Sequence, residues 1–311
     1  MSGANPACQE SIAYSERFCN WNFWAILRLN VKHAHNRENT AASQSKSSKE
    51  ETKAMRTNHV KQKLKQGEPA LGAWLLFPSI ATTRVMAQLG FDWLVVDMEH
   101  SAQSTPLMAD MVATIADAGT CAPFVRVPNN SVEWYKWALD AGAWGVVVPM
   151  VNTREEVLRA LDYSKYPPLG NRSIGGTFGP YGFGTTDWAD YLKVANEEIM
   201  TIVQIESAQG LQNVDEILSV PGIDVAFIGP NDLHAQLGLV PSSDGAEPEF
   251  LEALERVKTA ASKHNIPLGI FSSDGEAALA RIKQGFQMIS VTTDVSSMIA
   301  SAARNLEVAR G

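Results

Sequence analysis

The stretch TIVQIES at 201–207, followed after a helical segment over Gly210–Val220 by VAFIGPNDL at 225–233, reads as strand, helix, strand. Both strands are short, apolar and rich in Val and Ile, as parallel strands covered on both faces are. Each ends in a carboxylate, Glu206 on the first and Asp232 on the second. A buried carboxylate is costly unless it is paired or holds a metal. Consecutive parallel strands lie close together, and α/β proteins bind ligands at the carboxyl ends of their strands. The two acids are therefore expected to converge on a site, with the rest of the chain as their scaffold.

The same alternation continues on both sides. A short leading helix at Asn58–Gln66 precedes strands at Ala70–Phe77, Trp93–His100, Pro123–Pro128, Gly145–Val151, Met200–Ser207, Val225–Leu233, Pro267–Asp274 and Met288–Asp294. Helices are expected near 81–90, 104–119, 131–142, 153–165, 210–220, 247–264, 275–285 and 295–309. Gly90, Gly119, Gly142 and Gly285 stand where C-terminal caps belong, and Ser131 and Thr153 where N-caps belong. Eight βα units predict a TIM (β/α)8 barrel over residues 58–311, with a doubly wound sheet as runner-up. The longest excursion, Pro167–Asp187, is rich in Gly, Pro and aromatics, and a loop of that length usually has a function.

Residues 1–57 differ in kind. Ser, Asn, Lys and Glu dominate, which predicts a disordered or weakly structured extension; the aromatic patch Phe18–Leu29 within it could form a short amphipathic helix. Acids at Glu10 and Glu16 argue against a mitochondrial transit peptide without excluding it, and the first twenty residues hold no apolar signal core. With 311 residues, a net charge of −8 and no apolar run near the roughly 20 residues a membrane span needs, neither a nucleic-acid nor a membrane partner is expected. Three cysteines (Cys8, Cys19 and Cys121) do not make a disulfide framework and suit a reducing, cytoplasmic compartment.

Polar residues at barrel strand ends are the first catalytic suspects. They include Asp97, Glu99 and His100 after strand two, Arg126 on strand three, Gln204 and Glu206 on strand five, and Gly229, Pro230, Asn231 and Asp232 after strand six. No strand carries a lysine, which disfavours Schiff-base chemistry. Two carboxylates without a neighbouring histidine suit a hard divalent cation, Mg²⁺ or Mn²⁺, with coordination positions left for a ligand. As bland rivals, Glu206 and Asp232 could serve as helix N-terminal charges, His100 as a loop residue and Arg126 as a satisfied core arginine.

At these residues the chain resembles the HpcH/HpaI aldolases, the metal-dependent (class II) pyruvate aldolases. The motifs GAWLLFPS, GFDWLVVDMEH, PFVRVP, LDAGAWGVVVPMV, VQIES and FIGPNDL occur in family order from about Leu71 to Asp294. The resemblance implies a TIM barrel whose last helix is exchanged between subunits of a dimer-based homo-oligomer, up to a hexamer. It implies Mg²⁺, Mn²⁺ or Co²⁺ on Glu206 and Asp232, and no organic cofactor. Gln204 and the Gly229–Asp232 backbone would grip a pyruvyl group, with Trp74 at the mouth of the pocket. His100 would be the base and Arg126 the stabiliser of oxyanion charge. Asp97 belongs to the same catalytic cluster, and Asp140 would raise the basicity of His100, within the chain or across a subunit boundary. The implied reaction cleaves a small 4-hydroxy-2-oxo acid to pyruvate and an aldehyde. Alternatives are an oxaloacetate decarboxylase or a macrophomate-synthase-like enzyme working through the same enolate, although that synthase has a histidine where this chain has Met150. A CoA-ester lyase lacks its basic cluster here, and the intact acid, base and arginine set argues against a non-catalytic 2-oxo acid binding barrel. The loop Gly170–Phe178 departs from the family's Gly-x-Arg-Gly-x-Gly run and lacks its second arginine, which leaves the aldehyde open.

Overall fold

The computed structural model describes residues 55–311. The expected extension and its aromatic patch lie outside the described residues, apart from Met55, Arg56 and Thr57. Arg56 is already tied to the barrel: its N–H donates to the Phe183 carbonyl at 2.8 Å and its guanidinium to that of Ala116.

Eight parallel strands close into a barrel in chain order. They are β1 (Ala70–Leu75), β2 (Trp93–Asp97), β3 (Ala122–Arg126), β4 (Gly145–Val148), β5 (Met200–Ile205), β6 (Val225–Ile228), β7 (Leu268–Phe271) and β8 (Met288–Thr293). The helix α1 (His59–Lys65) leads in, capped by the Asn58 side chain on the Lys61 N–H. Around the barrel run α2 (Ile80–Met86), α3 (Thr105–Ala118), α4 (Val132–Asp140), α5 (Arg154–Ser164), α6 (Gly179–Gly182), α7 (Trp188–Glu198), α8 (Ala208–Gln212) and α9 (Val214–Leu218). The series ends with α10 (Pro230–Gln236), α11 (Pro248–His264), α12 (Gly275–Lys283) and α13 (Asp294–Arg310).

Local chemistry sets the element ends. Gly90, Gly119, Gly142 and Gly285 all have positive φ, the conformation that turns a chain out of a helix at least cost in glycine. Thr153 closes a full capping box with Glu156, whereas Ser131 precedes α4 without a side-chain cap bond. Several expectations need correction. The second, fourth and seventh strands stop at Asp97, Val148 and Phe271, short of the expected His100, Val151 and Asp274. The sixth strand stops at Ile228, not Leu233, because Pro230 has no N–H to give the ladder and opens α10 instead. The helix expected over 210–220 is two short helices joined at Asn213. The Gly/Pro-rich excursion is followed by α7, capped by Asp187 and burying Tyr191 and Ala195. The excursion itself packs on the foot of β4, where the Trp144 indole N–H donates to Gly182 O at 2.9 Å.

Aromatic rings fill the barrel. Trp93 meets Phe227 edge-on at 6.5 Å, Phe227 meets Trp74 at 5.9 Å, and Trp74 meets Phe271 at 6.4 Å. Each edge-to-face pair contributes about 0.5–1.5 kcal/mol beyond the area it buries. Glycine makes room for them: Gly72 pairs with Trp93 across β1 and β2, and a Cβ there would stand 2.0 Å from the indole. This column of rings is the floor beneath the strand ends.

Candidate active site

A cavity of about 340 Å³ opens at the carboxyl ends of the strands. Its lining brings together Trp74, Asp97, His100, Arg126, Gln204, Glu206, Gly229, Pro230, Asn231 and Asp232, which is every sequence candidate except Glu99 and Asp140.

Arg126 and Asp97 form its rigid side. Asp97 ends β2 with its side chain fully buried, and β3 pairs Arg126 opposite it. The guanidinium donates from Nε to Oδ1 at 2.9 Å and from Nη2 to Oδ2 at 2.5 Å, a bidentate, charge-assisted pair. Its third nitrogen, Nη1, lies 3.0 Å from Glu99 Oε2. One face packs on the Trp74 ring at 4.4 Å. Asp97 Oδ1 also accepts the N–H groups of Glu99 and His100, at 3.0 and 3.3 Å. Asp97 is thus fully committed to aiming the arginine and shaping the loop after β2. Trp74 is buried, a wall and not a mouth, and its indole N–H has no partner among the described residues.

Glu206 stands just past β5, buried, with each oxygen accepting one hydrogen bond. Oε1 takes the Met150 N–H at 2.8 Å and Oε2 the Gln204 amide at 2.7 Å. Met150 reaches it from a left-handed backbone, φ 50°, with its own side chain turned outward. Burial pushes the Glu206 carboxyl up to about 7, against the Met150 N–H and Arg126, with the nearby Asp232 charge adding to the rise. Gly229 makes this placement possible: a Cβ there would fall 1.9 Å from Glu206 Oε2. Asp232 sits in the first turn of α10, not on a strand, with its carboxylate exposed to the cavity. Beneath it His234 is buried, Nδ1 donating to Pro230 O at 2.6 Å and Nε2 meeting Glu247 Oε2 at 3.2 Å, which steadies the helix.

A divalent cation fits this donor set. The oxygens are hard ligands, the two carboxylates repel one another without a cation, and among the described residues Gln204 Oε1 is a buried acceptor left without a partner. Among the described residues no three His, Cys, Asp or Glu side chains gather to hold a metal.

His100 lies on the loop after β2, its side chain 61% exposed and Nε2 3.8 Å from Glu99 Oε2. Glu99, one of the strand-end suspects, is the neighbour to which the family resemblance gave no role. Burial raises its carboxyl above the usual range, opposed by Arg126 and His100. Asp140 lies apart, at the end of α4. Its ion pair is with buried Arg172, Nη2 to Oδ1 at 2.8 Å, and it does not line the cavity, so the within-chain pair with His100 is not formed. Arg172 in turn stacks on Tyr166 at 4.5 Å.

Residues 71–301 match the family model described as HpcH/HpaI aldolase/citrate lyase. A hydroxypyruvate/pyruvate aldolase of Paraburkholderia phytofirmans is 37% identical over 82% of this chain and 98% of its own. A solved HpcH/HpaI aldolase/citrate lyase family protein from Burkholderia cenocepacia superposes with a TM-score of 0.76 at 34% identity, covering 82% of this chain and all (100%) of its own. Macrophomate synthase superposes with a TM-score of 0.74 at 29% identity, over 86% of this chain and 97% of its own. With an eight-stranded barrel, carboxylates at the ends of β5 and β6 and kinship along nearly the whole barrel, the chain belongs to the HpcH/HpaI aldolase/citrate lyase family.

Proposed function

We propose that this aldolase, a carbon–carbon lyase, cleaves a 4-hydroxy-2-oxo acid into pyruvate and an aldehyde. The observation that carries the reading is the make-up of the cavity lining. A fixed arginine, two carboxylates and a Gln204 oxygen without a partner among the described residues share one cavity with the uncharged Trp74, Leu76 and Phe271, and the arginine packs on the Trp74 ring.

Glu206 and Asp232 would hold a divalent cation, Mg²⁺, Mn²⁺ or Co²⁺, and when bound it supplies Lewis acidity toward the 2-oxo acid oxygens. Arg126, held by Asp97 and Glu99, keeps its charge where an enolate oxygen develops, the electrostatic contribution that usually dominates. Gln204 and the N–H groups at the start of α10 orient the pyruvyl half. His100, on its exposed loop, removes the proton of the 4-hydroxyl. The bond between carbons 3 and 4 then breaks, its electron pair passing into the pyruvate enolate while the former carbinol becomes the aldehyde. Return of a proton to carbon 3 completes pyruvate. A base so placed adds about 10²–10⁴-fold. Oxaloacetate decarboxylation, which yields the same enolate, is the second reading, favoured by the structural likeness to macrophomate synthase.

The active form is a homo-oligomer. Within α13 only Asp294 is buried, while Met298, Ile299, Leu306 and Val308 are exposed, which supports an exchange of this helix between subunits. The reading also puts the enzyme in the cytoplasm; among the described residues no helix is long and apolar enough to cross a membrane.

The test is pyruvate release from a panel of 4-hydroxy-2-oxo acids, run with enzyme stripped by EDTA and then reloaded with Mg²⁺, Mn²⁺ or Co²⁺. Full activity in the stripped enzyme, or borohydride trapping of a Schiff base, would overturn the cation-dependent reading.

A further inference from the structure

We propose that Asp294 is a positioning residue for the aldehyde half of the reaction, holding the lip of the cavity through the backbone after β1. The inference rests on the aldolase reading and adds to it a device that sets aldehyde preference.

The lip begins where the β1–β8 ladder runs out. The last pair in that ladder is Trp74 with Thr293. Beyond it the chain leaves β1 through Leu76 and Phe77, whose N–H groups have no strand to donate to. The Asp294 carboxylate takes both, Leu76 N–H on Oδ1 at 2.9 Å and Phe77 N–H on Oδ2 at 3.0 Å. Asp294 is only 4% exposed, so neither amide has ready access to water in its place. A register shift between Gly72 and Ala73, where Ser290 and then Thr292 are the partners, advances β8 by one residue and brings Asp294 level with the lip.

What the lip carries faces the substrate. Leu76 and Thr293 both line the cavity, beside Trp74 and Phe271. None of the four is charged, and of them Trp74 carries the Arg126 guanidinium on its face. The pyruvyl half would lie against the charged groups, so the aldehyde half would meet this apolar lip. Asp294 touches none of the charged groups; its bonds run to the lip and to its own helix, at the Val295 N–H. Its loss should therefore change acceptor recognition and spare enolate formation. Asp294 is also the first residue of α13, so the position of that helix and the shape of the lip share one side chain.

The experiment uses the full-length, Mn²⁺-loaded enzyme with Asp294→Asn and Asp294→Ala. Three readouts are taken: solvent deuterium exchange at carbon 3 of pyruvate by NMR, kcat and KM for cleavage of two 4-hydroxy-2-oxo acids with a small and a long apolar aldehyde half, and amide deuterium uptake at residues 76–77. Asn offers one acceptor oxygen in place of two and keeps the side chain's shape, so it serves if the Ala variant does not fold. The expected result is pyruvate exchange within about threefold of wild type, faster uptake at 76–77, and a KM ratio between the two substrates shifted by about tenfold or more. Leu76→Ala should shift the same ratio, in keeping with action through the lip. Equal loss of exchange and cleavage, or an unchanged ratio with faster uptake, would overturn the proposal. Wild-type enzyme showing neither exchange nor cleavage would instead overturn the aldolase reading beneath it.

Discussion

Asp97→Asn is the sharpest single perturbation of the site. The substitution keeps the shape of the side chain but exchanges a carboxylate oxygen for an amide that must face guanidinium N–H groups now 2.5–2.9 Å away. With the Asp97 side chain at 0% and Arg126 at 11% exposure, water cannot replace the lost acceptor. Removing one partner from a buried ion pair costs about 3–5 kcal/mol. For a domain of this size that corresponds to a Tm lower by about 6–20 °C. Glu99 would retain the guanidinium by its third nitrogen and swing it from its present aim, so kcat/KM should fall by about 10²-fold, as when an oxyanion donor is misplaced. Calorimetry and pyruvate release measure the two effects. A double-mutant cycle with Arg126→Met separates them from general damage: the double variant strands neither member of the pair, and the loss of Glu99's arginine is common to both Arg126→Met variants and cancels in the cycle. The pair should then show a coupling of about 1–3 kcal/mol. Additivity within roughly 0.5 kcal/mol, or an Asp97→Asn enzyme with wild-type Tm and kcat/KM, would refute the reasoning.

Gly229→Ala should weaken Mn²⁺ binding, read by the signal of the bound ion in electron paramagnetic resonance, because the new methyl occupies the space of Glu206 Oε2; unchanged affinity would mean that this carboxylate is no ligand. Lys165 is 5% exposed, its ammonium donating to the Asn196 and Ile199 carbonyls, and burial lowers its pKa to about 8. The unfolded chain binds the extra proton from about pH 8 to its ordinary value, so this group makes stability rise with pH across that window, by up to about 3 kcal/mol. Relative to Lys165→Met, the wild type should gain in urea midpoint between pH 8 and 10, and parallel curves would contradict the shift. Asp140→Asn should lower turnover with metal affinity intact, and mixing it with His100→Ala subunits should restore part of the activity if the two residues meet across a subunit boundary; an unchanged rate and pH profile would remove Asp140 from the chemistry. A chain starting at Met55, which keeps Arg56 and its bonds to Phe183 and Ala116, should retain its rate constant, and loss of soluble enzyme would show that the preceding residues serve the barrel.

The barrel was legible because its signals are local. Val- and Ile-rich runs alternate with amphipathic stretches, and glycines stand where helices must end, so element type and order follow from neighbouring residues alone. The misses come from places where a local signal misleads. VAFIGPNDL is continuous in composition, yet Pro230 ends the ladder, and Asp232 reaches the cavity from a helix. Asp187 is a good N-cap, but the Gly, Pro and aromatic residues before it hide the start of α7. Glu99 stood among the strand-end suspects but received no role from the family resemblance; β2 stops at Asp97, and its contact with Arg126 comes from the loop beyond, where strand parity no longer says where a side chain faces. The Arg172 contact with Asp140 spans 32 residues, and no periodicity reports a pairing across such a distance.

Met150 holds Glu206 by its N–H while standing at φ 50°, and the residue is 39% exposed. Backbone and side chain at this position therefore answer to separate constraints. In the left-handed region a branched Cβ collides with the chain, so valine, isoleucine and threonine are strained there, and proline is excluded both by its fixed φ and by its missing N–H. Glycine and asparagine, by contrast, adopt that conformation with ease. A directed library at position 150 can thus vary the rim chemistry widely with unbranched residues, because the contact to Glu206 is encoded in the turn of the main chain and not in the identity of the side chain.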